Sequence, residues 1–246
     1  MSTEIAVISD IHGNAYALEL VLGDIARCKI ERTICLGDAI QGGPQPRECV
    51  QLLRDFGCPV VVGNADDFLL YGTDSGREPL TESHVMVREW QLTQLDERDI
   101  ETIKGYQPTI ETEAGDFRIL CFHGSPTDFD QVILPETSDD ELRTSLGAQP
   151  NTFCFGGHTH VQQFRRIDSA FYVNPGSVGF ACSHHQADGA DFKADPWAEY
   201  AVLRVDGESF DLSFRRVPYD AAKMCEIYLE SGRPNKEVAA KQYSSK

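Results

Sequence analysis

Five short apolar runs of this chain each end in an Asp, Asn or His that stands close to a glycine. Each run has the length of a buried strand. In open α/β sheets, ligands bind outside the carboxyl ends of the strands, so five such ends are expected to meet at one place. The side chains that follow the runs are Asp10 with His12, Asp38, Asn64, His123, and His158 with His160.

The N-terminal part of the chain alternates strand and helix patterns. Apolar runs at residues 4–9, 33–36 and 59–62 predict strands. Apolar residues at spacings of three and four predict helices over Ala15–Arg27 and Pro46–Phe56, the second with proline in its first turn. This order is typical of a sheet with parallel strands and crossover helices.

The later part of the chain is richer in strand patterns. A helical pattern over residues 81–105 breaks near Asp96, a loop is predicted at residues 71–79, and the polar tail after Gly232 is expected to be frayed. Further strands are predicted at residues 109–112, 117–122, 152–155, 162–167, 171–173, 200–205 and 210–217, and further helices at 138–146 and 220–231. We therefore expect one α/β domain over residues 1–246, with two packed sheets flanked by helices.

The polar side chains at the strand ends comprise two aspartates, one asparagine and four histidines. This mixture of O and N donors suits Mn, Fe, Zn, Co or Ni, and it is too rich in histidine for a Ca or Mg cage. Seven ligands exceed one tetrahedral site and fit two metals about 3.5–4 Å apart, the arrangement that serves phosphoester hydrolysis. Each motif alone is common in turns, so the ordered set carries the prediction.

That ordered set, Asp-x-His, Gly-Asp, Gly-Asn, His-Gly and Gly-His-x-His, resembles the calcineurin-like metallophosphoesterase superfamily. The chain is similar to its small bacterial and archaeal phosphodiesterase-type members, which share an Asn-Pro-Gly-Ser segment, here residues 174–177. The resemblance implies a four-layer αββα sandwich of two mixed β-sheets flanked by helices. It also implies the metal ligands: Asp10, His12 and His160 for the first metal, Asn64, His123 and His158 for the second, and Asp38 as the bridge.

The resemblance further implies a metal-dependent phosphoester hydrolase, in the first place a phosphodiesterase, whose two metals activate water for attack on phosphorus. Asp38, Asn64 and His123 are predicted to be catalytic through that water. For Asn14 two roles stay open: a hydrogen bond to a substrate phosphate, or a cap on the helix that follows.

The third motif departs from the family pattern. Most members carry Gly-Asn-His, in which the histidine protonates the leaving group, but this chain has Ala65. The loss of such an acid costs about 10²–10⁴ in rate. Three interpretations stay open: leaving groups of low pKa that need no acid, which is our working hypothesis, a different acid, or slow turnover. The candidate acids are His84, His184, His185 and Asp66.

A second departure concerns the substrate. Phosphoprotein phosphatases and dinucleoside-tetraphosphate hydrolases of the family carry an arginine shortly after Gly-Asp, whereas residues 37–44 contain none and Arg47 is expected to face solvent. A bidentate clamp on a phosphomonoester dianion is therefore missing, which favours diesters. The alternatives are a phosphomonoesterase acting on nucleotides or phosphoproteins, and a metal-bearing regulatory or binding module with little catalysis.

The charge balance limits the partners. Lys and Arg total 22 against 39 Asp and Glu, a formal net charge of −17, so a small phosphorylated substrate is expected and long nucleic acids are not. The eight cysteines form no C-x-x-C pair and most lie in apolar runs, which predicts reduced thiols. The N-terminus reads as a strand and no run is long enough for a membrane span, so we expect a cytoplasmic protein of undetermined oligomeric state.

Overall fold

The computed structural model of the protein describes residues 2–74, 76–77, 80–183 and 193–243. Within them, nine strands form two mixed sheets. The strands are β1 Thr3–Ile8, β2 Arg32–Cys35, β3 Ile110–Ala114, β4 Phe117–Cys121, β5 Thr152–Phe155, β6 Gln163–Ile167, β7 Ala170–Asn174, β8 Trp197–Asp206 and β9 Ser209–Pro218. The helices are α1 Ala15–Arg27, α2 Pro46–Phe56, α3 Asn64–Tyr71, α4 Glu82–Gln94, α5 Glu97–Lys104, α6 Asp139–Leu146, α7 Ala221–Glu230 and α8 Lys236–Ala240, followed by a 3₁₀ turn Lys241–Tyr243.

The first sheet has the strand order β2-β1-β8-β9, and the second has the order β3-β4-β5-β7-β6. β1 and β2 are parallel, as the alternation of strands and helices predicts, and β4, β5 and β7 are parallel to one another. The other neighbouring strands are antiparallel. The parallel strands β1, β2, β4 and β5 end at the site described below.

Alternate residues of β1 enter different hydrophobic cores. Ile5 and Val7 pack between the two sheets with Phe153 and Phe155 of β5, while Ile8 faces the helices on the outer side of the first sheet. Burial on both faces explains why β1 is a continuous apolar run. A third core lies between α6 and the outer face of the second sheet. Helices, two sheets and α6 make four layers, which confirms the αββα sandwich.

The third predicted strand, residues 59–62, is wrong as a strand. It is reduced to two isolated bridges, which pair it with Cys35 and Gln107. α3 begins two residues later, at Asn64, and the sequence analysis did not predict this helix. Acidic residues in its first turn favour α3 by interacting with the helix dipole.

The frayed tail predicted after Gly232 is also wrong for the residues described, which run to Tyr243. α8 and the 3₁₀ turn pack against α7, and Ala239, Ala240 and Tyr243 are buried. The apolar residues here are too few and too short in span to give a helical periodicity, so the polar composition misled the prediction.

Other predictions hold. The helical pattern of residues 81–105 divides at Asp96, which caps α5 by accepting a hydrogen bond from the backbone N–H of Asp99 at 2.9 Å. All eight cysteines lie in the described part of the chain and are free thiols, and half of them are fully buried. Among the described residues, no helix is both long and apolar enough to cross a bilayer.

Candidate metal centre

Both sheets deliver polar side chains to one place. The side chains follow four strands and open α3: Asp10 and His12 after β1, Asp38 after β2, Asn64 in α3, His123 after β4, and His158 and His160 after β5. The first sheet thus supplies both carboxylates, and the second supplies three of the four imidazoles. The structure brings together all seven residues that the sequence pointed to, and their role as metal ligands stays a prediction.

The first half of the site consists of Asp10, His12 and His160, whose ligand atoms lie within 4.8 Å of one another. Nε2 of His12 is 3.0 Å from Nε2 of His160. Oδ1 of Asp10 lies 3.3 Å from Nε2 of His160. Oδ2 of Asp10 accepts a hydrogen bond from the backbone N–H of His158 at 3.2 Å, which leaves Oδ1 facing the imidazoles.

The second half consists of Asp38, His123 and His158, also within 4.8 Å of one another, together with Asn64. Oδ2 of Asp38 lies 3.2 Å from Nε2 of His123, while Oδ1 accepts a hydrogen bond from the backbone N–H of Ala65 at 2.8 Å. Oδ1 of Asn64 is 3.0 Å from Nε2 of His123 and 3.0 Å from Nδ1 of His158. In this half too, one oxygen of the aspartate and the amide oxygen of the asparagine are aimed at imidazole nitrogens.

The two aspartates connect the halves. Oδ2 of Asp38 lies 3.8 Å from Nε2 of His12, which belongs to the first half. Oδ1 of Asp10 lies 3.9 Å from Nε2 of His123, which belongs to the second. The position of Asp38 between imidazoles of both halves suits the bridging role that the resemblance implies.

Backbone carbonyls orient three of the four imidazoles. Each Nδ1–H donates to one carbonyl: His12 to Gln41 at 3.0 Å, His123 to Leu36 at 2.8 Å, and His160 to Phe180 at 3.2 Å. Such hydrogen bonds fix the tautomer and turn Nε2 toward the site.

This geometry fits a bound cation. Because His12 and His160 both donate from Nδ1, their Nε2 lone pairs would face each other at 3.0 Å unless a proton or a metal ion lies between them. Oδ1 of Asp10 is buried and makes no well-formed hydrogen bond within the described chain, which is costly without a compensating charge. The residues present therefore fit divalent transition metals.

The aspartates also change the pKa values of their neighbours. Burial acts to lower the pKa of His123, but the charge of Asp38 outweighs it and raises that pKa to about 10. The pKa of His160 is raised in the same way, against burial, by Asp10. Burial lowers the pKa of the two remaining imidazoles, those of His12 and His158. Each half thus holds one imidazole that favours a proton, and a metal ion would displace that proton.

Most of the candidate ligands adopt an uncommon backbone conformation. Nine non-glycine residues of the described chain have positive φ, and five of them are candidate ligands. These five are Asp10 (54°), His12 (49°), Asp38 (49°), His158 (69°) and His160 (58°). Such conformations cost about 1 kcal/mol or more each, and they persist only where the surroundings enforce them. The concentration of strain here marks a functional site.

Two glycines permit the close approach of the strand ends. A Cβ on Gly63 would lie 2.1 Å from Oδ1 of Asp38. A Cβ on Gly157 would lie 2.1 Å from Oγ of Ser9 and 2.8 Å from Oδ2 of Asp10. Any larger residue would therefore displace the carboxylates.

The site opens into a cleft of about 360 Å³. Besides candidate ligands, its wall contains the apolar Phe68, Leu80, Phe129 and Val132, the acidic Asp67, Asp74 and Asp130, and Gln41, Ala65, Thr73, Arg77 and His84. His84 is the candidate acid that the structure places in this wall. Arg77 is a cation that sequence reasoning missed there, and it forms an ion pair with Asp128.

Asp66 and Arg47 have structural partners instead. Asp66 is fully buried and accepts hydrogen bonds from the backbone N–H groups of Gly63 and Ala39 at 3.1 and 3.0 Å. Burial and the charge of Asp38 raise the pKa of Asp66 to about 7. Arg47 pairs with acidic residues at the start of α5, so it does not serve the site.

Asn14 lies beneath the site. Its side chain is fully buried and donates to the carbonyl of Gly179 at 3.0 Å. Asn14 occupies the N-cap position of α1, as the capping alternative predicts, but within the described chain its side chain makes no capping hydrogen bond. Its contact with a substrate phosphate stays a prediction that the buried position disfavours. His184 and His185 lie outside the described residues.

Sequence reasoning missed the side chains that hold the loops of the site. Gln91 of α4 is fully buried and donates to the carbonyls of Ile40 and Gly43, each at 3.0 Å. Ser177 donates to the carbonyl of Asp10 at 2.7 Å. Gln91 could have been found as a polar residue on the apolar face of a helical pattern. Ser177 could have been found from the Asn-Pro-Gly-Ser segment that contains it.

The fold and the site define a metal-dependent phosphoester hydrolase. The chain belongs to the calcineurin-like phosphoesterase superfamily, whose domain model matches residues 3–195. This confirms the family that the ordered motifs resemble.

Particular relatives span nearly the whole chain. The chain is 28% identical over 250 residues to the uncharacterised protein MJ0912 of Methanocaldococcus jannaschii, covering 94% of this chain and 93% of that protein. It is similar to the crystal structure of a metallophosphoesterase from Sphaerobacter thermophilus, with 27% identity, a TM-score of 0.69, and coverage of 98% and 99%. The hypothetical protein PH1004 from Pyrococcus horikoshii shares the fold at 21% identity, with a TM-score of 0.75 over 96% of each chain.

Proposed function

We propose that this protein is a phosphodiesterase that works with two divalent transition metals, drawn from Mn, Fe, Zn, Ni and Co. The first metal is assigned to Asp10, His12 and His160, and the second to Asn64, His123 and His158, with Asp38 between them. The observation that carries the proposal is the pair of ligand groups at one cleft, with Oδ2 of Asp38 3.2 Å from an imidazole of one group and 3.8 Å from an imidazole of the other.

When bound, the metals would lower the pKa of water and neutralise charge on the phosphoryl oxygens. The chain's own part is to hold the carboxylates of Asp10 and Asp38 in place. The backbone N–H of His158 donates to one oxygen of Asp10, and that of Ala65 donates to one oxygen of Asp38. The other oxygen of each carboxylate is therefore aimed toward the imidazoles. Asn64 contributes a neutral oxygen beside His123.

The charges around the cleft support a diester over a monoester. Its wall carries three further carboxylates, Asp67, Asp74 and Asp130. The charge of Arg77 is partly neutralised by Asp128. A phosphomonoester dianion would meet more repulsion in this setting than a diester monoanion.

Residue 65 cannot protonate the leaving group. Ala65 lies in the cleft wall, and its methyl side chain has no ionisable proton to transfer. Leaving groups of low pKa need no acid, so aryl diesters should react faster than alkyl diesters. Equal rates on the two would contradict this. His84→Gln should then slow only alkyl diesters, for which the His84 in the same wall is the available donor.

The decisive assay compares bis-aryl and mono-aryl phosphates in added Mn²⁺, with Asp38→Ala as the inactive control. Activity on the diester alone supports the proposal. Faster turnover of the monoester would favour a phosphomonoesterase. No turnover in protein shown to contain two metals would favour a metal-bearing binding or regulatory module.

The proposal also covers partners and location. The net charge of −17 supports small phosphorylated substrates over long nucleic acids. The free thiols, half of them fully buried, are consistent with the reducing cytoplasm that the sequence predicts.

A further inference from the structure

Residues 233–243, here called the C-terminal segment, reach back to the first half of the site. Nε of Arg233 donates to the carbonyl of Gly42 at 2.6 Å. The hydroxyl of Tyr243 donates to the carbonyl of Gly179 at 3.0 Å. The segment therefore contacts two separate loops, one after β2 and one after β7.

Each of these contacts is one peptide away from a carbonyl that orients an imidazole. Gln41, which accepts from Nδ1 of His12, precedes Gly42. Phe180, which accepts from Nδ1 of His160, follows Gly179. Arg233 and Tyr243 thus bind the residues next to the two carbonyls that orient the imidazoles of the first half.

The segment is well placed to act as a rigid support. Tyr243 is only 3% exposed, and its ring packs 5.3 Å from that of Tyr228 and 6.4 Å from that of Phe180. The ring of Phe180 lies in turn 6.1 Å from that of His160. A change at Tyr243 is therefore transmitted to His160 through packing as well as through the backbone.

The second half is supported differently. Nδ1 of His123 donates to the carbonyl of Leu36, which directly follows β2 and is fully buried between the sheets. Within the described part of the chain, the hydrogen bonds that the side chains of Arg233 and Tyr243 donate go to the carbonyls of Gly42, Pro234 and Gly179, and none of these carbonyls orients an imidazole of the second half. The family domain model ends at residue 195, so the segment is also outside the matched domain.

We propose that the C-terminal segment is a positioning element that sets the affinity of the first metal and leaves that of the second unchanged. This inference rests on the proposed two-metal site. Arg233 and Tyr243 act through Gln41 and Phe180, so they are positioning residues without contact to metal or substrate.

The test uses Tyr243→Phe and Arg233→Met, singly and combined, in the full chain. The first change removes one hydroxyl and the second removes the donors at similar length. Tyr200→Phe is the control for tyrosine, because its buried hydroxyl also donates a hydrogen bond, to Oδ2 of Asp24 in α1 at 2.6 Å. Arg32→Met is the control for arginine. Arg32 also donates to a carbonyl, that of Glu113, but it begins β2 and therefore lies at the end of the strand that is away from the site.

Calorimetric titration with Mn²⁺ of protein that a chelator has freed of metal gives the affinity of each site. The same titration of His160→Ala, which lacks a ligand of the first half, identifies the binding step that belongs to the second half. In the combined variant, the Mn²⁺ affinity of the first half should fall by about tenfold. This is the low end of the loss seen when groups that orient a metal ligand are removed. The controls should keep both affinities. Hydrogen exchange at the Gly42 and Phe180 amides should accelerate in the variants even without metal.

Three outcomes would overturn the inference: two unchanged affinities in the combined variant, equal weakening of both, or equal weakening in the controls. If Arg233→Met fails to fold, Tyr243→Phe alone must still weaken the first step selectively. Wild-type protein that binds fewer than two metals would instead overturn the proposed function, and the two failures are thereby distinguished.

Discussion

The two halves of the site differ in what holds them. In the first half the imidazoles of His12 and His160 are oriented by loop carbonyls, and their side chains are 19% and 16% exposed. In the second half His123 is oriented by Leu36 in the core between the sheets, and its side chain is 0% exposed. In the second half His123 is thus held by the sandwich itself, whereas both oriented imidazoles of the first half are held by loops that the C-terminal segment contacts.

This difference has a consequence for metal binding. A ligand group that folding already holds in place loses little freedom when the metal binds, so its affinity is higher. We therefore expect the second metal to bind more tightly and the first to exchange more readily.

Removal of both metals with a chelator has the largest expected effect. Metal bound only to the folded state at 100 times its Kd contributes about 2.7 kcal/mol per site. For two sites in a chain of this size, we expect Tm to fall by about 10–20 °C and hydrolysis to stop. Added Mn²⁺ should restore both, as scanning calorimetry and the diester assay will show. Full activity in metal-free protein would overturn the whole interpretation.

Asp38→Asn should weaken both halves at once, because Oδ2 of Asp38 lies near imidazoles of each. The substitution keeps the shape and removes the charge, so several kcal/mol of charge stabilisation is lost. We expect activity to fall by about 10³-fold or more and metal content to fall below two per chain. Asp67→Asn, in the same cleft wall, is the matched control and should keep both metals. A fully loaded, active Asp38→Asn protein would exclude the bridging role.

Removing one imidazole from each half separates them. His160→Ala should lose the first metal and keep the second with near wild-type affinity. His123→Ala should lose the second and also destabilise the fold, because this side chain is fully buried. Elemental analysis of the purified variants, with urea unfolding alongside, measures both effects. If His160→Ala empties the whole site, the halves are not independent and the contrast between them fails.

The sequence indicated the candidate ligands of both halves, but it did not indicate the contacts that support the first half. The strand ends indicate both halves, because a buried strand followed by Asp, Asn or His is a pattern of neighbouring residues that the sequence shows directly. The αββα arrangement follows from the same pattern together with the family resemblance. What supports the first half is distant along the chain: Gln91 and Arg233 bind the loop after β2, and Tyr243 binds the loop after β7.

The errors have the same origin. Residues 59–62 were predicted as a strand because nothing local shows that, within the described chain, they pair only through isolated bridges to Cys35 and Gln107. The tail read as frayed, since the burial of Tyr243 comes from rings that lie far away in sequence. Long-range packing overrides local composition at both places.

Asp24 is a useful reference, because it is a buried carboxylate whose partners are side chains of the chain itself. It is 6% exposed, accepts a hydrogen bond from the hydroxyl of Tyr200 at 2.6 Å, and pairs with Arg215 at 2.9 Å and with Arg27. Burial acts to raise its pKa, but Tyr200 and Arg215 outweigh it and hold the pKa below its ordinary value. Its stabilising effect is therefore complete above the unfolded pKa of about 3.9 and is lost as the pH falls through the folded pKa.

Asp24→Asn should thus have the smallest effect, a loss of about 1–2 kcal/mol in the free energy of unfolding at pH 7. The loss should shrink at pH 3, which lies below the unfolded pKa, and a chelator should leave it unchanged. Urea unfolding at both pH values, with and without chelator, measures these differences. A loss that is independent of pH would contradict the charge-based account. A loss that grows on chelation would show that Asp24 is coupled to the metal site, and the contrast between metal-dependent and self-compensated carboxylates would then fail.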